Sequence, residues 1–221
     1  MRHLLQPRVL NIASVAALGS ALACYPRVSL WLERPGPLWY LEITIFVCCT
    51  ILWGFVFAWH TPYTQRPVFP FKMEPKPLLA ATLTGLGAAA LFHFWLDPKL
   101  RSQFPEEFPP DLSHWLASVL FTLGLSQLFL VLAPFDWLIR LLKKQWLAMG
   151  LTALFAVGVQ ALKIHMLPAP LSPGLLAALL VIRFVGGCLA VAFYLRGGVL
   201  LVWWWTLLLE IRHLLDLGNS P

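Results

Sequence analysis

The 221-residue chain is 59% hydrophobic and 12% charged, carries a formal charge of +6, and contains eleven Trp and fifteen Phe. Its apolar runs are long enough, at roughly 18 residues or more, to cross about 30 Å of hydrocarbon, which predicts an integral membrane protein and excludes a soluble globular domain. No clustered basic domain accompanies the positive charge, so nucleic acid is not an expected partner. The bilayer itself is one, and other membrane proteins are possible partners. The runs show no strand-like alternation, so the expected fold class is all-α: a polytopic bundle of about seven transmembrane helices with one interfacial amphipathic segment, in a single membrane-embedded domain. Cys24, Cys48, Cys49 and Cys188 have no C-x-x-C spacing and read as apolar helix-packing thiols. Neither a metal site nor a cofactor is expected.

Residues 1–8 form a short basic tail with Arg2 and Arg8. The first apolar run, Val9 to Tyr25, imitates a signal peptide through Ala21-Leu22-Ala23. Asn11 and Ser14 dilute it and many more spans follow, which favours an uncleaved first helix. A loop with Trp31 leads to the second helix, Leu38 to His60, bounded by Trp39-Tyr40 and Trp59-His60 as aromatic belts. Glu42 lies about a turn inside it, close enough to an end to snorkel to water. Five prolines from Thr61 to Pro77 predict an extended surface connector. Helix three, Leu78 to Leu96, contains Gly85 and Gly87 for close helix contact and His93 near its end.

The segment from Asp97 to His114 is the most polar loop, and its Glu106-Glu107 pair reads as solvated. Helix four, Trp115 to Ala133, carries Ser126-Gln127 at membrane depth, where a polar pair is a functional-site candidate by default. Pro134 is expected to break it. The following residues place Phe135, Leu138, Ile139 and Leu142 on one helical face and Arg140, Lys143 and Lys144 towards the other, as in an interfacial amphipathic helix. Helix five, Trp146 to His165, contains Gln160 and Lys163. Helix six, Pro173 to Leu195, has Arg183 in its middle. Arg196-Gly197-Gly198 then turns the chain into a seventh helix bearing Trp203-Trp204-Trp205 and Glu210, with Arg212, His213 and Asp216 as end-of-helix polarity. A short turn makes these two helices antiparallel, and Arg183 and Glu210 lie at similar distances from it, so each is the other's expected charge partner.

From Trp115 to about residue 217 the chain resembles the CPBP family of CAAX proteases and bacteriocin-processing enzymes, the Abi group. The apolar helix followed by a basic segment matches the family's first motif in surroundings, but Glu-Glu-x-x-x-Arg is replaced by Ser126, Gln127, Leu128, Phe129, Leu130 and Val131. The family's Phe-x-x-x-His falls on Phe155 with Val159, or with Gln160 in a second alignment. G-C-L-A-V-A-F-Y-L-R-G-G from Gly187 resembles the third motif at Tyr194, Arg196 and Gly198. The His and Asn expected after it fall near Leu207 and Ile211. The resemblance implies the family's helix order in residues 115–217, preceded by three spans in residues 1–114. It implies none of its chemistry, because an amide or an alkyl group cannot act as a general base.

The expectation is therefore a non-catalytic CPBP-like membrane protein that binds a lipid, peptide or protein partner, with Gln127, Gln160, Arg183 and Glu210 as candidate ligand-binding residues and no catalytic residue. An accessory subunit of a larger membrane complex, packing through the three consecutive Trp, is the alternative. A second alternative is a protease with displaced residues, Glu210 and His213 with Glu42 or Glu106-Glu107. Arg2, Arg8, Arg66, Lys72, Lys76, Arg140, Lys143, Lys144 and Arg196 outnumber the cations expected on the other side, which predicts a cytoplasmic amino terminus in a bacterial inner membrane.

Overall fold

The computed structural model describes residues 4, 6–31, 35–70, 72–101, 103, 108–166 and 171–217. Every element among them is helical. Helix α1 is Pro7–Ser29, α2 Leu38–Thr64, α3 Pro75–Leu100, α4 Leu112–Leu142 and α5 Gln145–His165; the last apolar stretch is Pro173–His213. All six are long and apolar enough to span a membrane. At most 39% of the most apolar window of any of them is buried against the rest of the protein. Most of that apolar surface is therefore left uncovered by the chain itself, as in a protein surrounded by lipid or by other membrane proteins. The protein is a polytopic helical membrane protein.

The last stretch is two helices, α6 (residues 173–196) and α7 (residues 199–210). Helical geometry fails at Gly197 (φ −141°, ψ 18°) and Gly198 (φ 61°, ψ −160°). On one continuous rod Gly186 and Trp205 would lie about 28 Å apart at 1.5 Å per residue. Instead, a Cβ on Gly186 would sit 3.9 Å from the Trp205 ring, and Phe193 meets Trp205 at 5.7 Å between centroids. The arms are antiparallel, as the Arg196-Gly197-Gly198 turn predicts. The same register puts Arg183 within about a turn of the depth of Glu210.

Helix α4 is the hub. Gly124 lets α1 approach so closely that a Cβ there would lie 3.1 Å from Ala23 and 3.2 Å from the Ser20 carbonyl. Phe129 meets Phe155 of α5 at 5.6 Å, and the Trp115 indole N–H donates to the Glu210 carbonyl of α7 at 2.9 Å. Around it, the Trp53 indole of α2 donates to Ser20 Oγ of α1 at 2.9 Å. A Cβ on Gly187 of α6 would sit 3.0 Å from Ala153 Cα of α5. Helix α3 packs on α7, where Gly85 faces Leu208 and Trp205, and Trp204 donates to Thr82 Oγ1 at 2.9 Å.

Several expected boundaries are corrected. Helix α1 runs on through Pro26 to Ser29, and α2 through Pro62 to Thr64; each proline sits in the last turn, where the one upstream bond it removes leaves only two or three helical residues beyond it. Helix α3 begins at Pro75, where a missing N–H costs nothing, and continues past His93 through a π-turn, Phe92–Leu96, as far as Leu100. Pro134 does not break α4. Two π-turns, Thr122–Ser126 and Leu128–Leu132, precede it, and a widened turn accommodates a proline ring that a regular i to i−4 ladder would not. The basic amphipathic segment is therefore the last part of α4, ended by Lys143 at φ 55°.

Candidate functional site

Three buried polar side chains meet where α2, α4 and α6 approach one end of the bundle. His60 lies one turn before the end of α2, Asp136 six residues before the end of α4, and Tyr194 three residues before Gly197. His60 Nδ1 lies 3.1 Å from Asp136 Oδ1, and the Tyr194 hydroxyl donates to Asp136 Oδ2 at 2.6 Å. All three are 0% exposed. The imidazole and phenol rings lie 4.3 Å apart between centroids, and Phe135 closes the group edge-on against Tyr194.

A buried carboxylate is tolerated only where donors replace its water. With Asp136 ionised, each oxygen has one: the His60 Nδ1–H and the Tyr194 O–H. This fixes the imidazole with its second nitrogen, Nε2, available, and Nε2 has no hydrogen-bond partner among the described residues. The arrangement ties the ends of three helices together. Arg140, one turn after Asp136, lies over the Trp59 ring at 4.4 Å and adds a cation–π contact between α4 and α2.

Directly beyond this group is a cavity of about 340 Å³ lined by Thr64, Arg66, Gln145, Met149, Ala192, Leu195 and Arg196. Thr64 is one turn past His60 and donates to the His60 carbonyl at 2.7 Å; Leu195 follows Tyr194. The proline-rich connector straps this end. An Arg66 guanidinium nitrogen donates to the Leu195 carbonyl, and the Val199 N–H donates to the Val68 carbonyl at 3.0 Å. Gly198 is required there twice over. Its φ is left-handed, and any Cβ would collide with the Val68 carbonyl oxygen and Pro70 Cδ.

The candidate ligand-binding residues read from sequence, Gln127, Gln160, Arg183 and Glu210, are not among the cavity's lining. Gln127, half-buried between the two π-turns of α4, has a buried Oε1 with no partner among the described residues. Gln160 extends the buried stripe of α5 formed by Ala148, Thr152, Ala153 and Ala156. Arg183 and Glu210 are half-buried and both engaged in interactions. Glu210 Oε2 approaches His213 Nε2 to 3.8 Å. His213 is not solvated end-of-helix polarity; it is 4% exposed and stacks edge-on with Phe108 at 5.4 Å. Beside it, Arg212 donates to Asp97 at 3.1 Å. His93 meets Phe94 edge-on, and half-buried Glu42 has an Oε1 with no partner among the described residues. Glu106-Glu107 lies outside the described residues.

Sequence alone does not mark His60 and Asp136, for a definable reason. One completes an aromatic belt, the other opens an amphipathic segment, and 76 residues separate them. A lone Asp on the same helical face as buried Phe135 and Ile139 is the one signal that could have found the group. Tyr194 stands out only through the family-like motif. No protein-family model matches the chain, and neither a curated protein nor a solved structure matches it either.

Proposed function

We propose that this chain is a catalytically silent relative of the CPBP proteases that binds a membrane lipid in the cavity between α2, α5 and α6. The observation that supports this best is the lining itself: Met149, Ala192 and Leu195 offer an apolar wall, and Arg66, Gln145 and Arg196 a polar rim. An amphipathic molecule fits such a site by leaving its chain on the apolar wall and its head at the rim. The cavity lies at the ends of the spans, with exposed Trp137 and Trp146 nearby, as expected of side chains at headgroup level. The cations of this end, Arg8, Arg66, Lys72, Lys76, Lys143, Lys144 and Arg196, favour the cytoplasmic side of an inner membrane. The buried His60–Asp136–Tyr194 group serves in this reading as the brace beneath the site.

Native mass spectrometry of the protein purified in mild detergent tests the reading. Wild type should retain lipid mass, and Ala192→Trp, which fills the cavity, should lose it while melting at a similar temperature. A wild-type protein that is folded but free of lipid, or an Ala192→Trp variant with unchanged retention, would overturn it.

A further inference from the structure

We propose that the rim of this cavity is an anion site built for a phosphate group, so that the bound lipid is net anionic; this rests on the lipid-binding reading above. Arg66 and Arg196 both line the cavity, and among the described residues no acidic side chain does. Arg66 is held in place rather than free to wander, because one guanidinium nitrogen is anchored on the Leu195 carbonyl. A guanidinium has five N–H donors in a planar fork, so that anchor leaves others for a second acceptor, and the fork matches two oxygens of one phosphate. The Arg196 side chain has no hydrogen-bond or ion-pair partner among the described residues.

A third positive element converges on the same place. Gln145 is both a lining residue and the first residue of α5, a 21-residue helix whose N-cap, Lys144, supplies no side-chain acceptor. Its first-turn N–H groups and dipole add positive potential at the rim, and the adjoining Lys143 and Lys144 are exposed. The carboxylate of Asp136 presents no free oxygen to the rim. It is fully buried and both its oxygens are engaged by His60 and Tyr194. A phosphate there would meet two guanidiniums and a helix N-terminus, with Met149 and Leu195 beneath it. A headgroup that also carries a cation would place that cation among Lys143, Lys144 and Arg196.

The test compares retention of phosphatidylglycerol and phosphatidylcholine with identical acyl chains by the full-length protein in mild detergent. Wild type should prefer phosphatidylglycerol, and Arg196→Gln should lower that preference about fivefold, the worth of one cation at an anionic lipid surface. Arg196→Lys should keep most of it, losing only the fork. On wild type alone, raising salt from about 0.1 M to about 1 M should erode the preference. Inorganic phosphate forms a separate arm: displacement of bound lipid by it supports a phosphate site that solution can also fill, and failure to displace assigns the site to lipid. Equal retention of the two lipids by wild type, or an unchanged preference in a folded Arg196→Gln protein, overturns the anion site while leaving lipid binding intact. Retention of neither lipid removes both.

Discussion

At the scale of single residues, stability at one end of the bundle turns on a few atoms. Tyr194→Phe keeps the ring contacts with His60 and Phe135 and removes only the hydroxyl that serves Asp136. A buried hydrogen bond is worth about 1 kcal/mol, and one to a charged group about 1.5–3 kcal/mol, so this variant should lose about 1–3 kcal/mol by thermal or denaturant melting. Asp136→Ala should cost more, because it leaves both the phenol and the imidazole buried without their shared acceptor. The double variant should be less destabilised than the two singles added together, since they report one network. An unchanged melt for Tyr194→Phe would show that Asp136 does not depend on it. Gly198→Ala should be far worse than an ordinary glycine substitution, because φ 61° and the collision with Val68 and Pro70 act together. Gly87, where an added Cβ would meet nothing within 4 Å, is the control: alanine there should be neutral or mildly stabilising.

Between elements, contact distance is set by small residues. Gly187 against Ala153 joins α6 to α5, Gly124 against Ala23 and Ser20 joins α4 to α1, and Gly85 against Leu208 joins α3 to α7. Where helices lack a hydrophobic drive to associate, such close approach is the main source of packing energy. Gly187→Val should force α5 and α6 apart and cost about 1–3 kcal/mol, the usual range for overpacking. Gly150→Ala on the same α5, where nothing lies within 4 Å, should not. Melts in which both variants behave alike would show that the Gly187 contact does not set the spacing of α5 and α6. The helix order and the α6–α7 hairpin were legible because apolar length and a Gly-Gly turn are local signals. The passage of α4 through Pro134 was not, because it depends on π-turns that no residue pattern announced.

For the whole molecule, α2, α4 and α6 end at one face of the bundle, while α3, α5 and α7 end at the other. Cysteine labelling on a background lacking Cys24, Cys48, Cys49 and Cys188 should reach position 143 from one side of a sealed membrane and position 99 only from the other. Labelling of both from one side would contradict this bundle; labelling of 143 from outside would reverse the orientation favoured by the basic residues around the cavity.

The sequence by itself determined that this chain is a helical membrane protein. In hydrocarbon the backbone must satisfy its own hydrogen bonds, so apolar length alone dictates a helix. It also determined that residues 173–210 turn back on themselves, because two adjacent glycines end a helix locally. Only the tertiary structure decided which polar residues matter together. His60, Asp136 and Tyr194 come from three separate helices, and Thr64, Arg66, Gln145 and Arg196 from three helix ends and a connector. Gln127, Gln160, Arg183 and Glu210 drew notice because polarity inside an apolar run is visible in one dimension. Convergence is not, since it depends on how each helix is rotated about its axis, and that rotation is set by packing against α4.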